Sequence, residues 1–163
     1  MSKIYTGVGG RDAPIGVLKH MNRLAKELGI AGYTLRSGGA TGSDLAFENG
    51  CDAVDGLKEI YLPVLGFNGS TSSLIPNSEA FKIAESIHPA WHLCSSFAKK
   101  AHARNVHQVL GVDLKTPSDF LVCWTRGGKA TGGTATAINL AEMKGVPVYN
   151  LFDELIKIGD LMP

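Results

Sequence analysis

The chain has 163 residues, 44% of them hydrophobic and 19% charged, and a formal charge of +1 from sixteen Lys and Arg against fifteen Asp and Glu. That length fits one domain over 1–163 with a sound core. The balanced charge lacks the basic surplus of proteins that live on duplex DNA, and no apolar run is long enough to span a membrane.

In chain order, "KIYTGVGG" (3–10) predicts a first strand ending in a glycine turn. "PIGVLKHMNRLAKELG" (14–29) has apolar residues at helical spacing, with Pro14 suited to the first turn and Gly29 to the stop. "YTLRSGG" (33–39) predicts a second strand, and a second helix begins within "ATGSDLAFENGCDA" (40–53). "LKEIYLP" (57–63) is a third strand closed by Pro63. Residues 64–78, polar and containing glycine, read as a long loop that is either a lid or simply exposed. Helices follow at 79–88 and 95–111, then a strand at 119–124, a glycine loop, a helix from near Thr134, a strand at 147–151 and a terminal helix over 152–158.

Strands alternating with helices predict crossover units and a mainly parallel sheet, and the nearly all-apolar "DFLVCW" fits a strand covered on both faces. The fold class expected is therefore α/β: a three-layer, Rossmann-like domain of at least five strands with helices on both faces. Cys51, Cys94 and Cys123 are odd in number and form no CxxC pair, so reduced, mostly buried thiols are expected. With no signal-peptide pattern, the expected location is cytoplasmic.

In open α/β sheets the ligand crevice lies beyond the carboxyl ends of the strands. Glycine turns fall at those ends: "GVGGR" after strand one, "SGGATGSD" after strand two and "TRGGKATGGT" after strand four. The last two run into helices, whose first N–H groups point at negative charge, while glycine lets the backbone approach a ligand closely. A phosphate-bearing ligand fits these junctions; the plainer alternative is that strand-to-helix turns need glycine anyway.

Named nucleotide motifs do not match. Asp12 stands where a dinucleotide fingerprint needs its third glycine, and "GGKAT" has Ala130 after its lysine and no glycine five positions before Gly128. No GxSxG elbow occurs. His88, His92 and Cys94 are close in sequence, but Pro89 intervenes and no second pair completes a metal site; His102 and His107, five apart, do not share a helical face. No metal and no cofactor are expected. Trp91 and Trp124 read as packing residues, with Trp124 also at a strand end where a base can stack.

"GVGGR" (7–11), "SGGATGSD" (37–44), "EIYLP" (59–63), "HARNVHQVLG" (102–111) and "TGGTATAINLA" (131–141) follow one another in an order that resembles the SLOG superfamily over residues 3–151. That group joins the DNA-processing protein DprA/Smf to the "Lonely guy" (LOG) cytokinin-activating enzymes, and the motif order is nearest to a stand-alone, phage-encoded DprA-like protein. "SGGATGSD" is similar to DprA's "SGGAxGID", "ARNVHQVLG" to its "RNRxIAGLS" and "GGTATAINLA" to its "SGSLxTAxxA". LOG enzymes carry an arginine in "MHxRK" and a glutamate in "PGGxGTxxE". The resemblance puts Arg104 on the arginine and Ala137 on the glutamate position. An alanine can neither donate a proton nor stabilise an oxocarbenium-like centre.

The glycine junctions and the resemblance together mark a ligand-binding set. It comprises Gly9, Gly10 and Arg11 in the first turn, and Ser37, Gly38, Gly39, Thr41, Ser43 and Asp44 in the second. Arg104 and Asn105 come from the helix, and Trp124, Gly132, Gly133 and Thr134 from the last loop, where Thr131 also offers a hydroxyl. Ser43 and Asp44 also read as N-cap residues, and Arg104 as a solvated helix arginine.

Three functions follow from the resemblance. The first is a nucleotide-type binding module that senses or sequesters a phosphate-bearing nucleotide or nucleotide-derived signal without LOG-type turnover. The second is a DprA-like, single-stranded-DNA-binding recombination mediator, for which Lys99, Lys100, Arg104 and Arg126 are the available cations and Trp91 and Trp124 the stacking aromatics. The third is an N-glycosidase, a nucleotide phosphoribohydrolase or nucleoside transferase, with Arg104, Asp44 and Glu48 as candidate catalytic residues and Asp113 as a further carboxylate. The partners expected are thus a nucleotide or nucleotide-derived small molecule, or single-stranded DNA, and no membrane. A homodimer or higher homo-oligomer is implied by the resemblance, with 95–111 offering apolar positions for the interface.

Overall fold

The structure, a computed structural model, describes residues 3–161. Its strands are β1 (Ile4–Gly7), β2 (Thr34–Ser37), β3 (Lys58–Ile60), β4 (Phe120–Cys123) and β5 (Val148–Asn150). They form one sheet in the order β3-β2-β1-β4-β5, and every pairing is parallel. Among the described residues no helix is long and apolar enough to cross a membrane.

β4 shows why the chain forms three layers. Successive strand residues point to opposite faces. Phe120 and Val122 enter one apolar cluster with Tyr5, Leu35 and residues of α1 (Ile15–Ile30) and α2 (Ser43–Ala53). Leu121 and Cys123 enter a second, with residues of α3 (Ser78–Ile87), α4 (Ser96–Leu110) and α5 (Ala135–Met143). Buried on both sides, β4 is apolar throughout. The short α6 (Ile158–Leu161) closes the first cluster with Leu161.

In α1, Met21, Leu24, Ala25 and Leu28 recur at helical spacing and are buried. Each large side chain among them contributes about 1.5–3 kcal/mol by leaving water. Gly29 does not end this helix. The chain runs on to Ile30, and Gly32 takes the left-handed conformation that reverses it (φ +90°). Gly29 instead permits close packing, since a Cβ there would come 2.7 Å from Val54 Cγ2.

Arg36 is a buried cation in the middle of β2, only 2% exposed. It donates to Glu59 at 3.2 Å, to the carbonyls of Val109 (3.2 Å) and Thr116 (2.6 Å), and to Ser118 Oγ (3.2 Å). These bonds tie β2 to β3 and to the α4–β4 connection. His107 is equally structural: it stacks on Tyr61, and its Nδ1 donates to the Gly111 carbonyl (2.9 Å) while Nε2 accepts from the Asn77 amide (3.3 Å).

Two expectations are corrected. The terminal helix over 152–158 is absent; a turn occupies Leu151–Asp153, and α6 begins only at Ile158. Residues 64–77 form the expected loop, pinned by a 3-10 turn at Phe67–Gly69 and a parallel bridge between Leu74 and Tyr61. In α4, Val106, Val109 and Leu110 are core residues, so these apolar positions are not available as an interface. Cys51 and Cys123 are buried, Cys94 is half-buried, and all three are free thiols. Burial pushes the Cys123 thiol up to about 12.

Candidate functional site

From β1 the chain moves outward through β2 and β3, then returns to β4 on the other side of β1. Strand order therefore reverses between β1 and β4, and a ligand crevice belongs beyond their carboxyl ends. A cavity of about 510 Å³ opens there, lined by Gly10, Arg11, Asp12, Arg126 and the loop from Thr131 to Thr134. A second lobe of about 220 Å³ shares Gly10, Arg11, Gly133 and Thr134 with it and continues past Asp44, Arg104 and Asn105 to Phe67 and Phe97. The larger lobe has the size of a small-molecule site, and the smaller extends it.

The first glycine loop continues β1 as backbone pairing. The Val8 amide donates to the Val122 carbonyl (3.1 Å) and the Gly10 amide to the Trp124 carbonyl (2.9 Å). Ser43 holds that loop against α2, its hydroxyl donating to the Gly10 carbonyl at 2.7 Å. Ser43 is therefore buried and does not line the crevice, nor is it the helix cap; the cap position belongs to Gly42, which has no side chain to offer. Ser37 plays a similar part, donating to the Gly7 carbonyl at 2.6 Å.

Arg104 lies on the floor of the second lobe and is 7% exposed, which rules out a solvated helix arginine. Its Nη1 donates to the carbonyls of Gly38 and Tyr61, and its Nε donates to Asn105 Oδ1 at 2.9 Å. Asn105 Nδ2 in turn donates to the Gly133 carbonyl at 2.5 Å. A polar relay thus runs from the second glycine loop through two neighbouring residues of α4 to the last one. Gly38 is required by this packing: a Cβ there would fall within contact distance of Gln108 Nε2 and Arg104 Nη1, and 2.7 Å from Asp44 Oδ2. Gly133 is the opposite case, since a Cβ there would meet nothing within 4 Å and would project into open space.

Asp44, fully enclosed, accepts from the Ala40 amide at 3.2 Å. Burial raises its carboxyl to about 6, against the lowering pull of Arg104 and the backbone amides. Burial likewise lowers the Arg104 guanidinium from its ordinary value, opposed by Asp44. Among the described residues, the carboxylates lining the crevice are Asp44 and the exposed Asp12, which is ion-paired to Arg126.

Several expected site residues lie elsewhere. Trp124 is buried behind Gly10, in the first core cluster, and does not line the crevice. Gly39 and Thr41 are not in its wall either. Glu48, one turn beyond Asp44, pairs with Lys58 of β3 at 2.8 Å, outside the crevice. Asp113 caps the turn after α4, accepting from Thr116 and the Lys115 amide near the amino ends of the strands. Ala137 is fully buried in the second core cluster.

Phe67 and Phe97 were missed by sequence reasoning. They face each other at 6.0 Å and form an aromatic lip on the second lobe. The loop that carries Phe67 is anchored by Asn68, whose Nδ2 donates to the Gly39 carbonyl at 3.0 Å. A phenylalanine in the turn sequence Gly66-Phe67-Asn68-Gly69, inside a largely polar loop, was the available signal.

No protein-family model matches the chain, and no curated protein matches it. Solved structures do. The Moco carrier protein of Chlamydomonas is similar at 20% identity with a TM-score of 0.55, over 92% of this chain and 76% of that one. A second structure of the Chlamydomonas reinhardtii molybdenum cofactor carrier protein gives 18% and 0.52, over 92% and 76%. DNA processing protein A from Helicobacter pylori, which binds single-stranded DNA, gives 18% and 0.56, over 91% of this chain; the match spans 64% of that chain. Likeness at such identities shows a shared fold, and by it the chain is a Rossmann-like α/β domain.

Proposed function

We propose that the chain is a SLOG-type binding module for a phosphate-bearing, nucleotide-type ligand, which it holds without LOG-type turnover. One observation carries this reading: two glycine loops from different strands meet across a single crevice and are tied together by Arg104 and Asn105. The larger lobe offers backbone around Gly132 and Gly133, with Arg11 and the Thr134 side chain beside it, a surface suited to phosphate. The smaller lobe ends at Phe67 and Phe97, which suit an aromatic base. Of the neighbours, one carries the molybdenum cofactor and one binds single-stranded DNA, which supports a ligand-binding role for this fold. Ala137 supplies no carboxylate at the position LOG enzymes use.

The single-strand DNA reading lacks a basic groove. Of the four cations considered for it, Arg104 is buried against carbonyls, Arg126 is paired to Asp12 and Lys99 lies over the Trp91 ring at 5.6 Å, which leaves the half-buried Lys100. The glycosidase reading keeps one observation in its favour, Asp44, whose raised carboxyl near 6 suits a general acid.

Thermal unfolding of the full chain with mononucleotides, cyclic dinucleotides, ADP-ribose derivatives and a single-stranded oligonucleotide tests all three. The binding reading expects stabilisation by at least one nucleotide-type compound, recovered unchanged after incubation. A flat response to every small molecule overturns it. Release of free base, lost in Asp44→Asn, transfers the site to the glycosidase reading.

A further inference from the structure

His88, Cys94 and His102 converge at the corner between α3 and α4. His88 caps α3, Cys94 follows the 3-10 turn Trp91–Leu93, and His102 stands on α4. One donor atom from each lies within 4.8 Å of the other two. The Cys94 sulfur is 3.7 Å from His88 Nε2, and the His88 and His102 rings meet edge to face at 4.5 Å. Tetrahedral zinc, with Zn–S of about 2.3 Å and Zn–N of about 2.0–2.1 Å, separates neighbouring donors by about 3.3–3.6 Å. Small side-chain rotations bring the three donors to that spacing.

We propose that His88, Cys94 and His102 form a binding site for a divalent metal of the zinc class, with a fourth position left for water or an added ligand. A thiolate with two imidazoles is a donor set that favours zinc over hard cations. His102 is already oriented: its Nδ1 lies 2.8 Å from Thr136 Oγ1 on α5, which leaves Nε2 to ligate. His88 Nδ1 accepts the Ala90 amide at 3.0 Å. On loading, the His88 proton moves from Nε2 to Nδ1, the Ala90 contact is given up, and the Cys94 thiol releases its proton to solvent. The metal then clasps the α3–α4 corner to α4. His92 lies outside the cluster, and the third donor comes from the next helix, which sequence spacing did not reveal. Nothing in this inference depends on the crevice or its ligand.

The test uses the full chain stripped with chelator, then titrated with Co²⁺ and Zn²⁺ and followed by absorption and native mass spectrometry. One metal per chain is expected, with the near-ultraviolet thiolate-to-cobalt band and the visible bands of tetrahedral cobalt. Cys94→Ser should abolish the thiolate band, and His88→Gln and His102→Gln should each weaken binding tenfold or more, with circular dichroism verifying the fold. His92→Gln should leave spectrum and stoichiometry unchanged. The proposal is overturned if the unsubstituted chain retains no metal and shows no cobalt band. It is equally overturned if the band survives in Cys94→Ser or disappears in His92→Gln.

Discussion

Gly38→Ala probes the relay that joins the two glycine loops. The substitution carries no backbone strain, because Gly38 lies outside the left-handed region; its whole effect comes from one methyl group. That methyl would sit 2.7 Å from Asp44 Oδ2 and within contact distance of Arg104 Nη1 and Gln108 Nε2. Overpacking of a filled site costs about 1–3 kcal/mol. Displacing Arg104 from the carbonyls of Gly38 and Tyr61 removes hydrogen bonds to a charged group, worth about 1.5–3 kcal/mol each before relaxation. Rotation of the Gln108 amide recovers part of this, which leaves a net loss of about 3–5 kcal/mol. At roughly 2–4 °C per kcal/mol for a chain of this size, Tm should fall by about 6–20 °C. Urea and thermal unfolding of the variant and parent read this directly. Because Arg104 and Asn105 act in one network, Asn105→Ala should cost less in the Gly38→Ala background than in the parent. A Tm within about 2 °C of the parent, or strict additivity with Asn105→Ala, would refute the relay.

Asp44 should impose a pH slope on stability. Its folded carboxyl, near 6, lies above the ordinary 3.8, so the native state holds the proton more tightly. The stability this gives is present below about pH 4 and is lost as pH rises through about 6, amounting to about 3 kcal/mol at 1.36 kcal/mol per unit. Denaturation midpoints measured from pH 4 to 7 should show that slope in the parent and not in Asp44→Asn. Arg36→Ala should lower stability by about 3–5 kcal/mol in urea unfolding, since it strands the Thr116 and Val109 carbonyls and the Glu59 partner; loss below 1 kcal/mol would contradict its bridging role. Phe97→Ser, at a half-exposed position, should change stability by no more than about 0.5 kcal/mol while weakening ligands that carry an aromatic base and sparing inorganic phosphate, as isothermal titration would register.

The strand ends and their glycine turns were readable because residue type carries their physics. Only glycine allows the approach seen at Gly38, and only apolar residues suit both faces of β4. What spacing did not disclose was which polar groups face inward together. Arg36 carries no signal in sequence and Arg104 reads either as a ligand contact or as a solvated arginine, yet both are buried against carbonyls distant along the chain. Glu48 and Asp44, one turn apart on α2, separate because Lys58 of β3 draws Glu48 out of the crevice. Trp124 was open to two readings, and its ring packs behind Gly10. The aromatic lip comes from Phe67, in a loop whose path depends on the Asn68 contact to Gly39 and the Leu74 bridge to Tyr61.

The most direct test is equilibrium binding of the nucleotide-type compound that stabilises the parent, repeated on Gly133→Val. A Cβ at 133 meets no protein atom within 4 Å and points into the space beside Thr134 and Arg11 where phosphate is to sit. The expected result is an unchanged Tm without ligand and a loss of affinity of at least a hundredfold. Full affinity in a folded Gly133→Val protein would contradict the assignment of the crevice as the binding site.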